Sequence, residues 1–214
     1  MRYLNQKRRF DVLVSATALV VLAPLFLMLA VLIKLDSRGP VFFRQQRVGR
    51  DETLFWIYKF RTMRDDTPND VPTHLFNDAT KHITKIGAFL RKTSLDELPQ
   101  LINILQGDMS LVGPRPALWN QDDLIEARRK EGATHVVPGL TGWAQVKGRD
   151  ELPIDVKAKL DGDYVRHMGH RLDLLCLAMT VRNVLLKEGI IEGSVTPPTP
   201  VPLKEKEMTH VAKK

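Results

Sequence analysis

RKTSLDELPQLINILQGDMSLVGPRP, residues 91–116, carries two adjacent carboxylates, Asp96 and Glu97, at the point where a helix is due to begin. Leu98, Leu101, Ile102 and Leu105 follow at i, i+3, i+4 and i+7, the spacing of one apolar face of a short amphipathic helix. Gly107 stands where that helix should stop. Pro99 lacks an N–H and so suits the first turn. This places Asp96 at or near the N-cap, with Ser94 and Glu97 offering a capping-box alternative. A helix start gathers free N–H groups and a positive dipole end, which favours an ionised carboxylate or a bound phosphate. Acidic residues in a first turn are also ordinary caps. The stiff run Gly113-Pro114-Arg115-Pro116 argues for more than capping, because flanking prolines restrict the backbone around one guanidinium. Arg91 and Lys92 add charge just ahead of the carboxylates.

Working outward, 214 residues with 43% hydrophobic content suffice for one globular domain plus an appendage. The formal net charge of +7 is unevenly placed: residues 1–50 hold nine Lys/Arg against two Asp/Glu, and the remainder is neutral. A basic leader on a neutral body excludes the charged face of a nucleic-acid-binding domain. A single cysteine, Cys176, precludes an intramolecular disulfide and fits a reducing, cytoplasmic setting. It lies in the apolar run 172–179, as a buried structural thiol does.

From Val12 to Ile33 no residue is charged, a run long enough to enter or cross a bilayer. No small-residue cleavage site follows it, so it does not read as a secretory signal. Pro24 near its middle removes a backbone hydrogen bond and breaks the helix. Arg2, Lys7, Arg8 and Arg9 precede the run; Lys34, Arg38, Arg44, Arg47 and Arg50 follow it. Positive charge on both flanks gives no crossing direction. The simplest resolution keeps both ends in the cytoplasm, with the helix bending at Pro24 and returning; a single-pass anchor with a tolerated proline is the alternative.

VFFRQQRVG and TLFWIYKFRTM read as two strands of a hairpin at the membrane surface, separated by Gly49-Arg50-Asp51. Its basic residues Arg44, Arg47, Lys59 and Arg61 suit anionic headgroups or a diphosphate. Residues 64–82 read as an exposed loop, and its Asp65, Asp66 and Asp70 lack the spacing of a calcium loop. Helices are expected over 83–92, 117–132 (its charged face solvated), 155–168 and 171–188. VVPGLTGWAQVKGRD reads as an ordered loop, in which Trp143 either stacks on a base or fills the core and Arg149 reaches for a phosphate. The proline-rich tail, 194–214, is expected to be disordered. The resulting fold class is α+β, mostly helical, with a small β-hairpin and an N-terminal re-entrant membrane helix. Its parts are 1–38 (membrane helix), 39–193 (cytoplasmic catalytic domain) and the tail.

These motifs together resemble the bacterial sugar transferases, the monotopic phosphoglycosyl transferases. The resemblance covers about residues 7–190. It rests on Lys7-Arg8 with Asp11, the proline-broken helix, GPVFFRQQRVG, YKFRTM, the 91–116 run, PGLTGWAQV, and Asp161 with Tyr164. It implies a minimal form acting at the cytoplasmic face of the bacterial inner membrane. The implied reaction moves a sugar 1-phosphate from a UDP-sugar to undecaprenyl phosphate and releases UMP. By this similarity Asp96 attacks the sugar-side phosphorus and forms a phosphosugar–aspartyl intermediate. Glu97 supports the metal or a proton transfer, and Asp96 and Glu97 are the metal-binding pair for Mg²⁺, which neutralises the diphosphate. Arg115, Lys59, Arg61 and Arg91 are the expected phosphate contacts. Trp143, Gln145, Arg149, Asp161 and Tyr164 are the expected nucleotide-sugar pocket. The chain departs from the family's usual pattern at Ala23 before Pro24, at Lys147 and Asp150, and at Gly162 and Asp163. A non-catalytic, membrane-anchored assembly protein of a glycan pathway is the alternative. The sequence carries no signal for oligomeric state or for the identity of the sugar.

Overall fold

The uncharged run lies in two helices, α1 (Arg2–Val21) and α2 (Ala23–Asp36), bent by 61° where they meet. The computed structural model describes residues 2–65, 67, 82–148 and 152–186. Pro24 falls in the first turn of α2, where a missing N–H leaves nothing unpaired. Around the break Leu22 donates to the Ala18 carbonyl at 2.8 Å and Phe26 to the Leu22 carbonyl at 2.9 Å. The backbone ladder therefore resumes at once, which is what makes such a bend tolerable in lipid. No single described helix is long and apolar enough to cross a membrane; the bent pair is, by length and composition.

Both ends of this pair are fastened to the rest of the chain. Arg8 donates to the carbonyls of Ile104 and Leu105, Lys7 and Tyr3 meet Asp173 at 2.8 and 2.7 Å, and Asp11 accepts from Ser110 Oγ at 2.7 Å. At the far end Asp36 accepts from the Ile86 N–H at 2.9 Å. Leu29 and Ile33 of α2 are buried against Phe60 and Leu90.

Phe42–Val48 (β1) and Leu54–Phe60 (β2) form the expected antiparallel hairpin, in register from Phe42 opposite Phe60 to Val48 opposite Leu54. The paired residues Gln45 and Ile57 are buried, while Arg44 and Trp56 are exposed on the opposite face. Helix α3 (Lys85–Thr93) follows, close to its expected place.

The 91–116 stretch differs from its expected form. Ser94 takes a left-handed conformation (φ 56°) and closes α3, Leu95–Glu97 make a single 3₁₀ turn, and α4 spans Gln100–Gln106 with Pro99 at its N-cap. Asp96 is therefore not an N-cap residue, and neither Ser94 nor Glu97 makes a side-chain cap. The reason is local: closing one helix at Ser94 forces a reversal before the next begins at Pro99. Gly107 does end α4, at φ 99°, a conformation that favours glycine. The buried face is Gln100, Leu101, Asn103 and Ile104, not the expected 98, 101, 102 and 105 face.

The loop expected after residue 136 contains structure. Ser110–Val112 (β3) and Gly139–Thr141 (β4) pair in parallel, so closely that a Cβ on Gly139 would lie 2.1 Å from the Gly113 nitrogen. Helix α5 (Asp122–Lys130) is shorter than expected. Then come α6 (Trp143–Gly148), α7 (Ile154–His167) and α8 (His170–Leu186). One core cluster joins Ile57, Leu101, Ile104, Val112, Tyr164 and Cys176. Burial pushes the Cys176 thiol up to about 12, consistent with a packing role.

Candidate active site

The hairpin, the 3₁₀ turn and the Pro-Arg-Pro run converge on Glu97. Lys59 Nζ on β2 lies 2.7 Å from Glu97 Oε1, and Arg115 Nη2 lies 2.7 Å from the same oxygen. Arg115 Nη1 donates to Oε2 at 3.4 Å. Lys59 is aimed here because Asn103 grips its strand. The Asn103 amide donates to the Trp56 carbonyl at 2.7 Å and accepts from the Tyr58 N–H at 3.0 Å, extending the hairpin edge like a third strand. Burial would raise the Glu97 carboxyl, but Arg115 and Lys59 outweigh it and hold the group well below the usual carboxylate range.

Asp96 has the opposite environment. No described residue donates a hydrogen bond to its carboxylate, and burial is the largest influence on it. Lys59, Arg91 and Arg115 oppose that influence and Glu97 adds to it, leaving the group at about 6 instead of 3.8. Two neighbouring carboxylates driven apart in this way, one firmly ionised and one poised near neutrality, are suited to different tasks. Arg91, in the last turn of α3, is steered by its Nε bond to Thr62 Oγ1 at 2.9 Å.

Of the expected phosphate contacts, Lys59, Arg91 and Arg115 gather around the carboxylates. Arg61 does not. Its buried guanidinium donates to the carbonyls of Arg38 and Ser37, the latter at 2.7 Å, and so caps the C-terminus of α2. Arg47 is likewise engaged, with Pro116 O at 3.0 Å and Gln45 Oε1 at 2.6 Å.

The described residues expected to form the nucleotide-sugar pocket are engaged with protein partners, and Trp143 and Tyr164 share one core cluster. Asp161 is 1% exposed and pairs with Arg128, at 2.8 Å from Nε and 2.6 Å from Nη2. The Tyr164 hydroxyl donates to Asp173 at 2.7 Å and lies 3.1 Å from the Val112 carbonyl, inside the core. Burial and Asp173 raise that phenol far above its ordinary range. Trp143 is half-buried against the core cluster, with Lys147 Nζ 4.8 Å from its ring centre. Gln145 donates to the Leu140 carbonyl at 3.0 Å. Arg149, Asp66, Asp70 and the 194–214 tail lie outside the described residues.

Three supporting residues escaped the sequence reading. Asn103 had a signal, a polar residue set between Ile102 and Ile104 in an otherwise apolar stretch. Arg128 had none, being one of three successive basic residues on a helix expected to be solvated. Asp173, which holds Tyr3, Lys7 and Tyr164, is likewise silent in sequence.

Among the described residues no cluster of three or more His, Cys, Asp or Glu exists. A cage built from protein alone is therefore not formed there. As a general rule Mg²⁺ is held by one or two carboxylates plus substrate phosphates, and Asp96 fits that habit. Glu97 does not, since both its oxygens face cationic donors.

A carboxylate pair ringed by cations stands beside a bent apolar helix pair. The bacterial sugar transferase family model matches residues 2–187, and this chain belongs to that family. It is 47% identical over 199 residues to the UDP-glucose:undecaprenyl-phosphate glucose-1-phosphate transferase of Caulobacter vibrioides, covering 86% of this chain and 71% of that one. It is 43% identical over 187 residues to the uncharacterized sugar transferase EpsL of Bacillus subtilis, covering 86% and 89%. The undecaprenyl-phosphate glucose phosphotransferase of Komagataeibacter xylinus is 41% identical, and this chain spans 36% of its length.

Proposed function

We propose that this protein transfers a sugar 1-phosphate from a UDP-sugar to undecaprenyl phosphate by a covalent route on Asp96. The observation that carries the reading is the Asp96 carboxylate, which lacks a donor among the described residues and sits among Lys59, Arg91 and Arg115. An Asp96 oxygen attacks the sugar-bearing phosphorus, the P–O bond to the other phosphate breaks, and UMP leaves with that electron pair. A phosphate oxygen of the lipid then attacks the same phosphorus and releases the Asp96 carboxylate. Splitting one displacement into two is what a covalent nucleophile achieves. Arg115 and Lys59 hold Glu97 ionised and present N–H donors to the charge on the transferring group. Mg²⁺, held by Asp96 and the substrate diphosphate, would neutralise negative charge there. Relatives named for transfer onto undecaprenyl phosphate support the acceptor and donor classes.

The same reading puts the protein on the cytoplasmic face of the inner membrane, with α1 and α2 entering and leaving one side. Both ends of the pair are bonded to one folded body. Leu13, Val20, Val21, Leu27 and Met28 are exposed around the bend, as residues facing lipid are. The test is UMP release from a panel of UDP-sugars with undecaprenyl phosphate in detergent. Release with at least one sugar, dependent on the lipid for repeated turnover, is expected. No release with any sugar would leave the non-catalytic assembly role.

A further inference from the structure

The segment Pro114–Arg115–Pro116 offers few backbone donors, since neither proline has an N–H. Such a segment is anchored chiefly through its carbonyls, and all three are taken. Gly139 N donates to Pro114 O at 2.9 Å, Arg128 Nη1 to Arg115 O at 2.7 Å, and Arg47 Nη1 to Pro116 O at 3.0 Å. The middle anchor acts on the residue whose guanidinium meets Glu97. Arg128 is itself aimed by Asp161, at the middle of α7. One Asp161 oxygen accepts from both Nε and Nη2, which leaves Nη1 pointing at the Arg115 carbonyl.

We propose that Arg128 and Asp161 are positioning residues for Arg115, with their buried pair fixing the backbone from which Arg115 reaches Glu97 and the substrate phosphate. Stability alone is a poor reason for the pair, because a buried ion pair is often replaceable by packed apolar residues without loss. What apolar residues cannot do is hold a carbonyl. A guanidinium spreads its N–H groups over three nitrogens, so two can meet a carboxylate while a third reaches an acceptor on the far side, a span that the single nitrogen of an ammonium does not cover. The inference rests on the proposed role of Arg115.

The test uses the full-length protein in detergent, with turnover measured as UMP release and the Arg115 side chain followed by nitrogen-15 NMR. The Arg115 Nε–H signal is assigned by its loss in Arg115→Lys. Arg128→Lys keeps a cation for Asp161 but cannot bridge to the carbonyl, and a loss of kcat of about tenfold to a hundredfold is expected, the range that small misplacements cost. The same substitution placed on Arg115→Ala should lower turnover no further, because its effect runs through Arg115. Arg128→Met with Asp161→Leu removes the buried charges together, leaving one carbonyl without its donor, and should stay folded while losing turnover to the same extent. In both variants the Arg115 signal should shift or broaden. Equal losses with and without Arg115, or a double apolar variant with wild-type turnover and an unmoved Arg115 signal, would overturn the proposal. If the wild type releases no UMP from any sugar yet the Arg115 signal responds, the transferase reading has failed and the positioning stands.

Discussion

At the scale of single residues, the site separates two adjacent carboxylates by their neighbours. Glu97 is paired with cationic donors on both oxygens and Asp96 is not, so the first is a fixed charge and the second the one we propose to react. Asp96→Asn should lower UMP release by at least about a thousandfold, as removal of a nucleophile does. Wild type given UDP-sugar without lipid should gain a sugar phosphate on the peptide containing Asp96; full activity in the asparagine variant would end the assignment. The pH behaviour follows with a defined sign. Because folding raises Asp96 from 3.8 to about 6, the folded state holds this proton more tightly than the unfolded chain. The stabilisation is present below about 3.8 and is lost as pH rises through about 6, while the ionised, attacking form gains over the same interval. Carbon-13 NMR of the metal-free protein should find the Asp96 midpoint near 6, and a midpoint at or below 4 would contradict the environment described. Arg115→Lys should cost about tenfold or more in turnover with an unchanged melting temperature, since an ammonium cannot span both Glu97 oxygens.

At the scale of elements, Arg61 and Arg115 make an instructive contrast, because both read in sequence as phosphate ligands. Arg61 bonds the Ser37 and Arg38 carbonyls that follow α2, so Arg61→Met should destabilise by about 2–3 kcal/mol, the cost of leaving buried acceptors unpaired. Its melting temperature should fall by several degrees while turnover per folded molecule is retained; the reverse pattern would return Arg61 to the active site. The difference between the two arginines is legible only in three dimensions, since nothing local tells Arg61 that Ser37 lies beside it. What was legible had a local cause. The hairpin follows from branched and aromatic alternation, and the break in the apolar run follows from Pro24. The end of α4 follows from Gly107. The short parallel pair β3–β4 was missed because three residues are too few to declare a period. The start of α4 was misplaced because the left-handed Ser94 belongs to the preceding helix. Asp96 and Glu97 stand out in the sequence as adjacent carboxylates, their roles being implied by the family resemblance, whereas Arg128 and Asp161, 33 residues apart, meet only through the packing of α5 on α7.

At the scale of the whole molecule, the governing question is which side of the membrane each end of the apolar pair occupies. The ten residues Val12–Val21 of α1 extend about 15 Å and the 14 residues of α2 about 21 Å, each short of a hydrocarbon core of about 30 Å. Bent by 61°, the two together still reach about 31 Å end to end, so length alone permits a crossing; what opposes it is the fastening of both ends to one body. One end is held through Lys7 and Tyr3 on Asp173 and Arg8 on α4, the other through Asp36 on α3 and Arg61 on Ser37. Crossing would tear one set from the body, leaving Asp173 and the carbonyls that follow α2 without those donors. It would also carry Arg2, Lys7, Arg8 and Arg9 through lipid, against the charge bias of inserted segments. We therefore expect a same-side entry and exit, with the bend at Leu22 as the deepest point. Single cysteines placed at Asn5, Ala23 and Lys130, with Cys176 replaced by serine, make the check. An impermeant maleimide should reach the residue 5 and residue 130 sites only after the inner membrane of spheroplasts is opened, and the residue 23 site only after detergent is added. Labelling of residue 5 from outside intact spheroplasts while residue 130 stays protected would mean that the pair spans the bilayer, and that the fastenings on Asp173 do not form in the membrane.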